Sequence, residues 1–196
     1  KPLLTFYGDD FTGSTAVMEV LSFAGVSTML FLEPPELDVL KEYPTLQAIG
    51  VAGIARSKDP AWMKSNLPSV FKRLKKFGAP VSHYKVCSTF DSSPEIGSIG
   101  VATEIGYAIF STDWVPLVVG APDIQRYQAF GTLFAKSGAS IHRLDRHPVM
   151  SRHPVTPMNE ADLTRHLTRQ TNLKIGIISL AEIKAGQSHE AVSKCL

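Results

Sequence analysis

Two adjacent carboxylates, Asp9 and Asp10, follow an apolar run and precede a Thr-Gly pair at the start of a predicted helix. Like charges this close raise each other's pKa, unless cations, ligand hydroxyls or helix amides balance the charge. Asp9 and Asp10 are therefore candidate substrate-binding residues that accept hydrogen bonds from hydroxyl groups. The spacing alone leaves a structural alternative equally open, in which the pair only caps the helix that begins near Thr12.

Three basic side chains stand at the ends of other predicted strands: Arg56, Lys85 and Arg126. Guanidinium and ammonium groups hold carboxylates or phosphates, whereas an aspartate accepts from a hydroxyl. A pocket that contains both signs of charge suits a substrate with an anionic end and several hydroxyls. We therefore include these three cations among the candidate substrate-binding residues.

Residues 85–97, which we call the lysine loop, carry a dense run of small polar side chains after Lys85. Ser88, Thr89 and Asp91 are the candidate substrate-binding residues here, because such donors and acceptors bind polyols. Ser, Asp and Pro also favour ordinary tight turns for purely local reasons, so this alternative stays open. The following glycines would let a helix N-terminus approach an anion, but the chain has no Gly-rich lysine motif for phosphate.

Residues 142–163, the histidine segment, are rich in basic side chains and proline. The spacing does not fit a zinc site, and nearby arginines would oppose a cation, so no metal ligand is predicted. The segment could instead hold an anion. A structural alternative is an ion pair from Arg143 or Arg146 to Asp145 that stiffens a long connection.

Composition narrows the classes of function. A formal net charge of +2 and the lack of a long basic tract with aromatic residues argue against nucleic-acid binding. No apolar run reaches the roughly 20 residues of a membrane span, and no signal-peptide pattern is present, so a cytoplasmic protein is predicted. Cys87 and Cys195 are isolated and are expected to stay reduced.

Short apolar runs alternate with longer stretches of helical period, which is typical of an α/β sheet covered by helices. The predicted strands lie at 2–7, 27–32, 46–53, 81–88, 115–122 and 174–179. The predicted helices run from Thr12 or Ser14 to Phe23, then over 59–78 with a kink at Pro68, 98–110 and 159–171. Short runs at 127–135 and 140–145 around a Lys-Ser-Gly-Ala turn predict a β-hairpin.

The predicted fold class is α/β, with a mostly parallel sheet, helices on both faces in a Rossmann-like three-layer arrangement, and the hairpin as an extension. Ligands in such sheets bind beyond the carboxyl ends of the strands, where the polar loops described above converge. A dinucleotide-binding oxidoreductase is disfavoured because the first turn lacks G-x-G-x-x-G. An aspartyl phosphatase is disfavoured because Asp9 and Asp10 lack D-x-D spacing and are expected to point in different directions.

Several motifs, taken in order, resemble those of one family. They are G-D-D-F-T-G-S at 8–14, R-S at 56–57, the lysine loop, V-V-G-A-P at 118–122 with R-Y-Q-A-F-G at 126–131, and R-L-D-R-H-P-V-M-S-R-H-P-V-T-P-M-N-E-A-D-L at 143–163. In this order they resemble the N-terminal domain of the four-carbon acid sugar kinase family. The resemblance covers nearly the whole chain.

The resemblance implies an ATP-dependent kinase that phosphorylates a hydroxyl of threonate, erythronate, 3-oxo-tetronate or a related oxo or branched acid. It implies that Asp9 and Asp10 hold the sugar hydroxyls, one of them as the base, while Arg56 and Lys85 hold the acid's carboxylate. The lysine loop lacks the family's Asp-Ser-Thr order and Arg-Gly pair. Asp91 is expected to replace part of that function.

In that family a separate Gly-rich domain holds most of the nucleotide, so ATP and Mg are expected to bind mainly outside residues 1–196. The chain begins at Lys1 without a methionine, which predicts a piece of a longer protein. This piece alone is expected to bind the sugar acid without turnover. A non-catalytic sugar-acid binding module is the alternative, and a homodimer is a further expectation.

Overall fold

Four parallel strands form the larger of two sheets. The computed structural model describes residues 1–196. The strands are β1 (Leu4–Gly8), β2 (Thr28–Phe31), β3 (Ala48–Ala52) and β4 (Val81–Lys85). Their order is β2-β3-β1-β4 and every pair is parallel, which confirms the first four predicted strands. Because β1 lies between β3 and β4, the loop after β1 is flanked by the loops after its two neighbours.

Helices cover both faces of this sheet, as predicted. They are α1 (Phe11–Phe23), the single turn α2 (Val39–Glu42), α3 (Pro60–Lys76) and α4 (Ile99–Phe110). On one face α1 approaches so closely that a Cβ at Gly8 would lie 1.9 Å from Oγ of Ser14. On the other face, α3 and α4 pack over Tyr7 and its neighbours in the first hydrophobic core.

The first core depends on the helical stripe of α3. Met63, Leu67 and Phe71 recur every four residues and are almost fully buried against Tyr7 and Ile49 of the sheet. Burying each such side chain contributes about 1.5–3 kcal/mol. This core lies directly beneath the carboxyl ends of β1 and β3, so it supports the loops that follow them.

The helix starts have local causes. Asp10 caps α1, since its Oδ1 accepts from the amide of Gly13 at 2.7 Å. The expectation that Thr12 or Ser14 is the cap is therefore wrong. Asp59 caps α3 as predicted, and this helix passes through Pro68 without interruption. It ends before Gly78, whose φ of +64° favours glycine.

Three antiparallel strands form the second sheet. They are β5 (Arg126–Ala129), β6 (Thr132–Ser137) and β7 (Ser140–Arg143), in that order. The predicted hairpin is confirmed, and the stretch at 127–135 itself folds into a second hairpin. Phe130 and Gly131 make its two-residue turn, with φ of +50° and +77°.

A second hydrophobic core joins the lysine loop to this sheet. Phe90 of the loop is fully buried among Leu133 of β6, Leu144 and Met158. The position of the loop therefore depends on packing against residues that follow it by more than 40 positions in the chain.

Two predicted strands, at 115–122 and 174–179, are wrong because neither segment joins a sheet. Pro116 has no amide hydrogen, and the amides of Val119 and Gly120 donate to the side chain of Gln128. No backbone hydrogen bond links residues 174–178 to another segment. Apolar composition resembles that of a buried strand in both places, but the only backbone pairing with a strand is a single antiparallel bridge between Ala121 and Arg126.

The remaining helices are short. They are α5 (Leu163–Thr168), α6 (Leu180–Lys184) and α7 (Ser188–Cys195). The prediction of a helix over 159–171 was too long. Asp162 caps α5, and the chain just before it pairs with β6 through the amide of Leu133 and the carbonyl of Ala161. The residues just before α5 are therefore extended and paired with β6, where the sequence predicted the first turn of a helix.

None of the helices combines the length and the apolar composition that crossing a membrane requires. Cys87 and Cys195 are both free thiols and half-buried.

Candidate functional site

The loop after β1 stays hydrogen-bonded to both neighbouring loops. The amide of Asp9 donates to the carbonyl of Lys85 at 3.1 Å, and the carbonyl of Asp9 accepts from the amide of Arg56 at 3.0 Å. The chain thus continues the sheet for one residue beyond Gly8. This arrangement brings the loops after β1, β3 and β4 to one edge of the molecule, as the parallel strand order requires.

Arg56 binds both carboxylates. Its Nε and Nη2 donate to Asp9 at 3.2 and 2.5 Å, and its Nη1 and Nη2 donate to Asp10 at 2.7 and 2.9 Å. The expectation that the two carboxylates point in different directions is therefore wrong. We call Asp9, Asp10 and Arg56 the charge cluster, and with both carboxylates ionised it carries one net negative charge.

Asp10 has two roles in this cluster. The same Oδ1 that caps α1 also accepts from Arg56. A Cβ at Gly13 would lie 2.6 Å from that oxygen, so glycine leaves room for the contact. Asp10 is therefore a helix cap, as the structural alternative expected, but capping is only part of its role. Its side chain remains 29% exposed and accessible to a ligand.

Burial governs the electrostatics of the cluster. Burial raises the pKa of the Asp9 carboxyl, whose side chain is only 1% exposed, and the hydrogen bonds and charge of Arg56 offset part of that rise. Burial is the largest single effect on the pKa of Arg56 and lowers it, but the hydrogen bonds and charge of Asp9, together with the charges of Cys87 and Asp10, raise that pKa overall. Burial also raises the pKa of Tyr7 to about 12, so its phenol is neutral.

Lys85 lies near the charge cluster but outside the cavity lining. Its ammonium donates to the carbonyl of Val86, and both this ammonium and Nη2 of Arg56 would lie within 3.6 Å of a Cβ at Gly13. Its positive charge lowers the pKa of Asp9 in part. The side chain does not line the cavity described below.

A cavity of about 330 Å³ lies in front of the charge cluster. Besides the cluster, its walls include Ser57, Asp91 from the lysine loop, and His153 and Thr156 from the histidine segment. Three sequence-predicted carboxylates and one predicted cation thus share one cavity. The opposing signs of charge within a few ångströms suit a ligand that has both hydrogen-bond donors and an anionic group.

Asp91 is fixed by its own loop. It is buried, and its Oδ1 accepts from the hydroxyl of Thr89 at 2.7 Å. Thr89 in turn lies 3.0 Å from the thiol of Cys87, whose pKa is raised by burial and by the charge of Asp91. Ser88 is half-buried and does not line the cavity.

We call four buried polar side chains the polar clamp: Ser92, Ser98, His166 and Gln170. They connect the lysine loop and the start of α4 to α5 and the residues just after it. Ser92 Oγ lies 3.0 Å from Nε2 of His166 and accepts from Nε2 of Gln170 at 2.9 Å. The amide oxygen of Gln170 accepts from Ser98 and from the amide of Gly100. Burial lowers the pKa of His166, which keeps the imidazole neutral.

The predicted cation Arg126 lies elsewhere, on β5 of the second sheet. Its Nη1 donates to the carbonyls of Ile124 and Gln125 at 3.2 and 3.3 Å. Its side chain does not line the cavity. In the histidine segment, Arg143 and Asp145 form the predicted ion pair, with Nε 2.7 Å from Oδ1, at the protein surface.

Sequence reasoning included His153 only as one member of the histidine segment that could hold an anion, and it did not identify His166 and Gln170. A signal for the first was present, since the four residues Arg-His-Pro-Val occur twice, at 146–149 and 152–155. No local pattern marks the clamp, because its hydrogen-bonded partners are 70 or more residues apart in the chain.

Comparison with known proteins agrees with these motifs. A family model described as a sugar-binding N-terminal domain matches residues 4–195. A Paraburkholderia graminis protein named 3-oxo-isoapionate kinase is 53% identical over 182 residues, which cover 93% of this chain and 39% of that protein. A Cupriavidus necator protein named 3-oxo-tetronate kinase is 28% identical over 186 residues, which cover 95% of this chain and 42% of that protein.

A solved structure shows a similar fold. A Haemophilus influenzae protein superposes with a TM-score of 0.80 and 27% identity, over 97% of this chain and 44% of that one. The chain spans about two fifths of the length of the curated relatives it matches. Since the family model matches nearly the whole chain, the chain belongs to the sugar-binding N-terminal domain family, which confirms the resemblance that its motifs showed.

Proposed function

We propose that this chain is the substrate-binding part of an ATP-dependent kinase that phosphorylates a hydroxyl of a short 3-oxo sugar acid. The observation that carries the proposal is the cavity in which Asp9, Asp10, Arg56 and Asp91 meet in a chain of a sugar-binding family. The names of two curated relatives, 3-oxo-isoapionate kinase and 3-oxo-tetronate kinase, support the reaction class.

Asp10 is the carboxylate best placed to contact the sugar. Its side chain is 29% exposed, whereas that of Asp9 is 1% exposed and bonded to Arg56. We assign the hydroxyl-accepting role to Asp10, and to Asp9 the role of holding the guanidinium in place. Phosphoryl transfer depends mainly on positioning and on stabilising charge, so a fixed acceptor that aligns the attacking hydroxyl is the main contribution expected from this cluster.

We choose the candidate sugar acid from the sequence identity of this chain to its named relatives. The relative named for 3-oxo-isoapionate is 53% identical, against 28% for one named for 3-oxo-tetronate. The lysine loop also departs from the family's usual order, and Asp91 of that loop lines the cavity. A 3-oxo acid related to isoapionate is therefore the first candidate, with 3-oxo-tetronate, threonate and erythronate as comparators.

ATP and Mg²⁺ are proposed to bind mainly outside this chain. No group of three or more His, Cys, Asp or Glu side chains in the structure is arranged to hold a metal ion. The guanidinium of Arg56 lies directly against the oxygens of Asp9 and Asp10, and its positive charge opposes a metal cation there. The chain would then bind the sugar acid, which carries the acceptor hydroxyl, and the remainder of a longer protein would bind the phosphoryl donor.

Ligand binding by the purified chain tests this proposal. We expect at least one of 3-oxo-isoapionate, 3-oxo-tetronate, threonate and erythronate to raise the melting temperature, because a ligand at 100 times its dissociation constant adds roughly 2.7 kcal/mol to stability. Titration calorimetry with ATP should show little heat. A panel in which no acid binds, or tight binding of ATP, would overturn the proposal.

A further inference from the structure

The repeated Arg-His-Pro-Val sequence builds the same turn twice. At the first copy, Nδ1 of His147 accepts from the amides of Val149 and Met150 at 3.2 and 3.1 Å. At the second copy, Nδ1 of His153 accepts from the amides of Val155 and Thr156 at 3.4 and 3.0 Å. An Nδ1 that accepts from an amide carries no proton, so in both rings the proton is on Nε2.

The two Nε2–H groups face different surroundings. At His147, which is 6% exposed, Nε2 lies 3.4 Å from the carbonyl oxygen of Lys136 and donates to it. At His153 no protein atom bonds to Nε2, and the ring lines the cavity. The same motif thus holds a structural histidine in one place and, in the other, a ring that lines the cavity and has an unused donor.

Other side-chain donors at the cavity are largely in use. The Oγ of Ser57 donates to the carbonyl of Ile54, and the hydroxyl of Thr156 lies 3.1 Å from Nδ1 of His153 and donates to it. Arg56 directs four N–H groups at the two aspartates, which leaves one N–H at Nη1. Nε2 of His153 and this last N–H are the side-chain donors left for an anionic ligand.

We propose that His153 binds the carboxylate of the sugar acid by donating from Nε2, and so selects an acid over a neutral sugar. This inference rests on the proposed function. Carboxylates accept hydrogen bonds only, and Asp10 and Asp91 cannot donate to one when ionised. The substrate's carboxylate therefore lies toward His153, and its hydroxyls lie toward the aspartates, which orients the acid in the cavity.

The test compares His153→Asn with His147→Asn. The Oδ1 of asparagine can replace Nδ1 as the acceptor of the turn, but asparagine cannot reach the position of Nε2. We expect His153→Asn to keep the melting temperature within a few degrees and to weaken the tightest-binding acid of the panel roughly 10-fold or more, as loss of a bond to a charged group does. His147→Asn should bind that acid like the parent.

Two further measurements sharpen the result. Erythritol and threitol lack the carboxylate, so their affinities should be the same for the parent and for His153→Asn. In ¹⁵N spectra of imidazole, the acid should shift Nε2 of His153 and leave Nδ1 nearly unchanged. Equal acid affinity in His153→Asn and the parent overturns the role of His153 and leaves the proposed function intact. A parent that binds no acid overturns both.

Discussion

The two walls of the cavity are built in different ways. One wall is the charge cluster, held at the ends of β1 and β3 by main-chain hydrogen bonds and by Arg56. The opposite wall carries Asp91 and His153 on loops, which the polar clamp and the second hydrophobic core hold in place. One wall thus depends on charge pairing next to a parallel sheet, and the other on neutral hydrogen bonds between distant segments.

The two walls should therefore respond differently to mutation. Removing a partner from the charge cluster leaves a buried, unpaired charge, which is costly. Removing a partner from the polar clamp leaves neutral donors and acceptors unsatisfied, which costs less but frees a loop. Variants in each wall should therefore differ in the size of the stability loss and in its dependence on pH.

The largest effect is expected at Arg56. Arg56→Met leaves Asp9 buried without its partner, so the free energy of unfolding should fall by about 3–5 kcal/mol. Urea unfolding measures it. Arg73→Met is the matched control, because its partner Glu36 is on the surface and such pairs contribute about 0–1 kcal/mol. An equal loss of unfolding free energy in the two variants would show that the charge cluster stabilises the protein no more than a surface ion pair does.

A smaller effect on binding is expected at Asp10. Asp10→Asn keeps the helix cap, since asparagine caps as well as aspartate, and Arg56 keeps its two bonds to Asp9, so the melting temperature should fall less than in Arg56→Met. Acid binding should weaken by about 1.5–3 kcal/mol, because a charge-assisted bond to a hydroxyl is lost. Calorimetry and thermal melts in one buffer check both. A lower melting temperature with parent-like affinity would reduce Asp10 to a structural residue.

The opposite wall is tested at Gln170. Gln170→Leu removes the partner of Ser92, Ser98 and the amide of Gly100, so stability should fall by about 1–3 kcal/mol. Acid affinity should fall too, because the loop that carries Asp91 loses its attachment. Gln187→Leu, at an exposed position without a side-chain bond, is the control. Unchanged affinity despite lower stability would show that the clamp does not position Asp91.

The smallest effect is a pH dependence from His166. Burial lowers its pKa in the folded state below 6.5, so as pH falls through 6.5 the unfolded chain gains a proton that the folded chain does not. Stability should therefore fall, by at most about 1.4 kcal/mol per pH unit.

Urea unfolding of the parent and of His166→Gln between pH 7.5 and 5.5 checks this dependence. The raised pKa of Asp9 acts in the opposite direction, with stability lost as pH rises above about 3.8, but it is common to both proteins and cancels in the difference. Parallel pH profiles for the two proteins would contradict the assignment of this dependence to the clamp.

Much of the parallel part of the fold could be predicted from local patterns. Asp59 before Pro60 marks the start of α3, and Gly78 marks its end, because caps and positive φ depend on a few neighbouring residues. The stretches at 115–122 and 174–179 could not be predicted. Whether an apolar run becomes a strand depends on a partner elsewhere in the chain, and local composition contains no information about that partner.

The sequence by itself determined the acidic pair at the end of β1, the polar lysine loop and the parallel sheet that brings such loops to one edge. Only the tertiary structure decided which charges meet. Arg56, 46 residues after Asp10, binds both carboxylates, whereas Arg126 lies on the second sheet away from the cavity. The physical reason is that hydrophobic periodicity and caps act within a few residues, while a charge pair depends on strand order and on which loops the cores hold together.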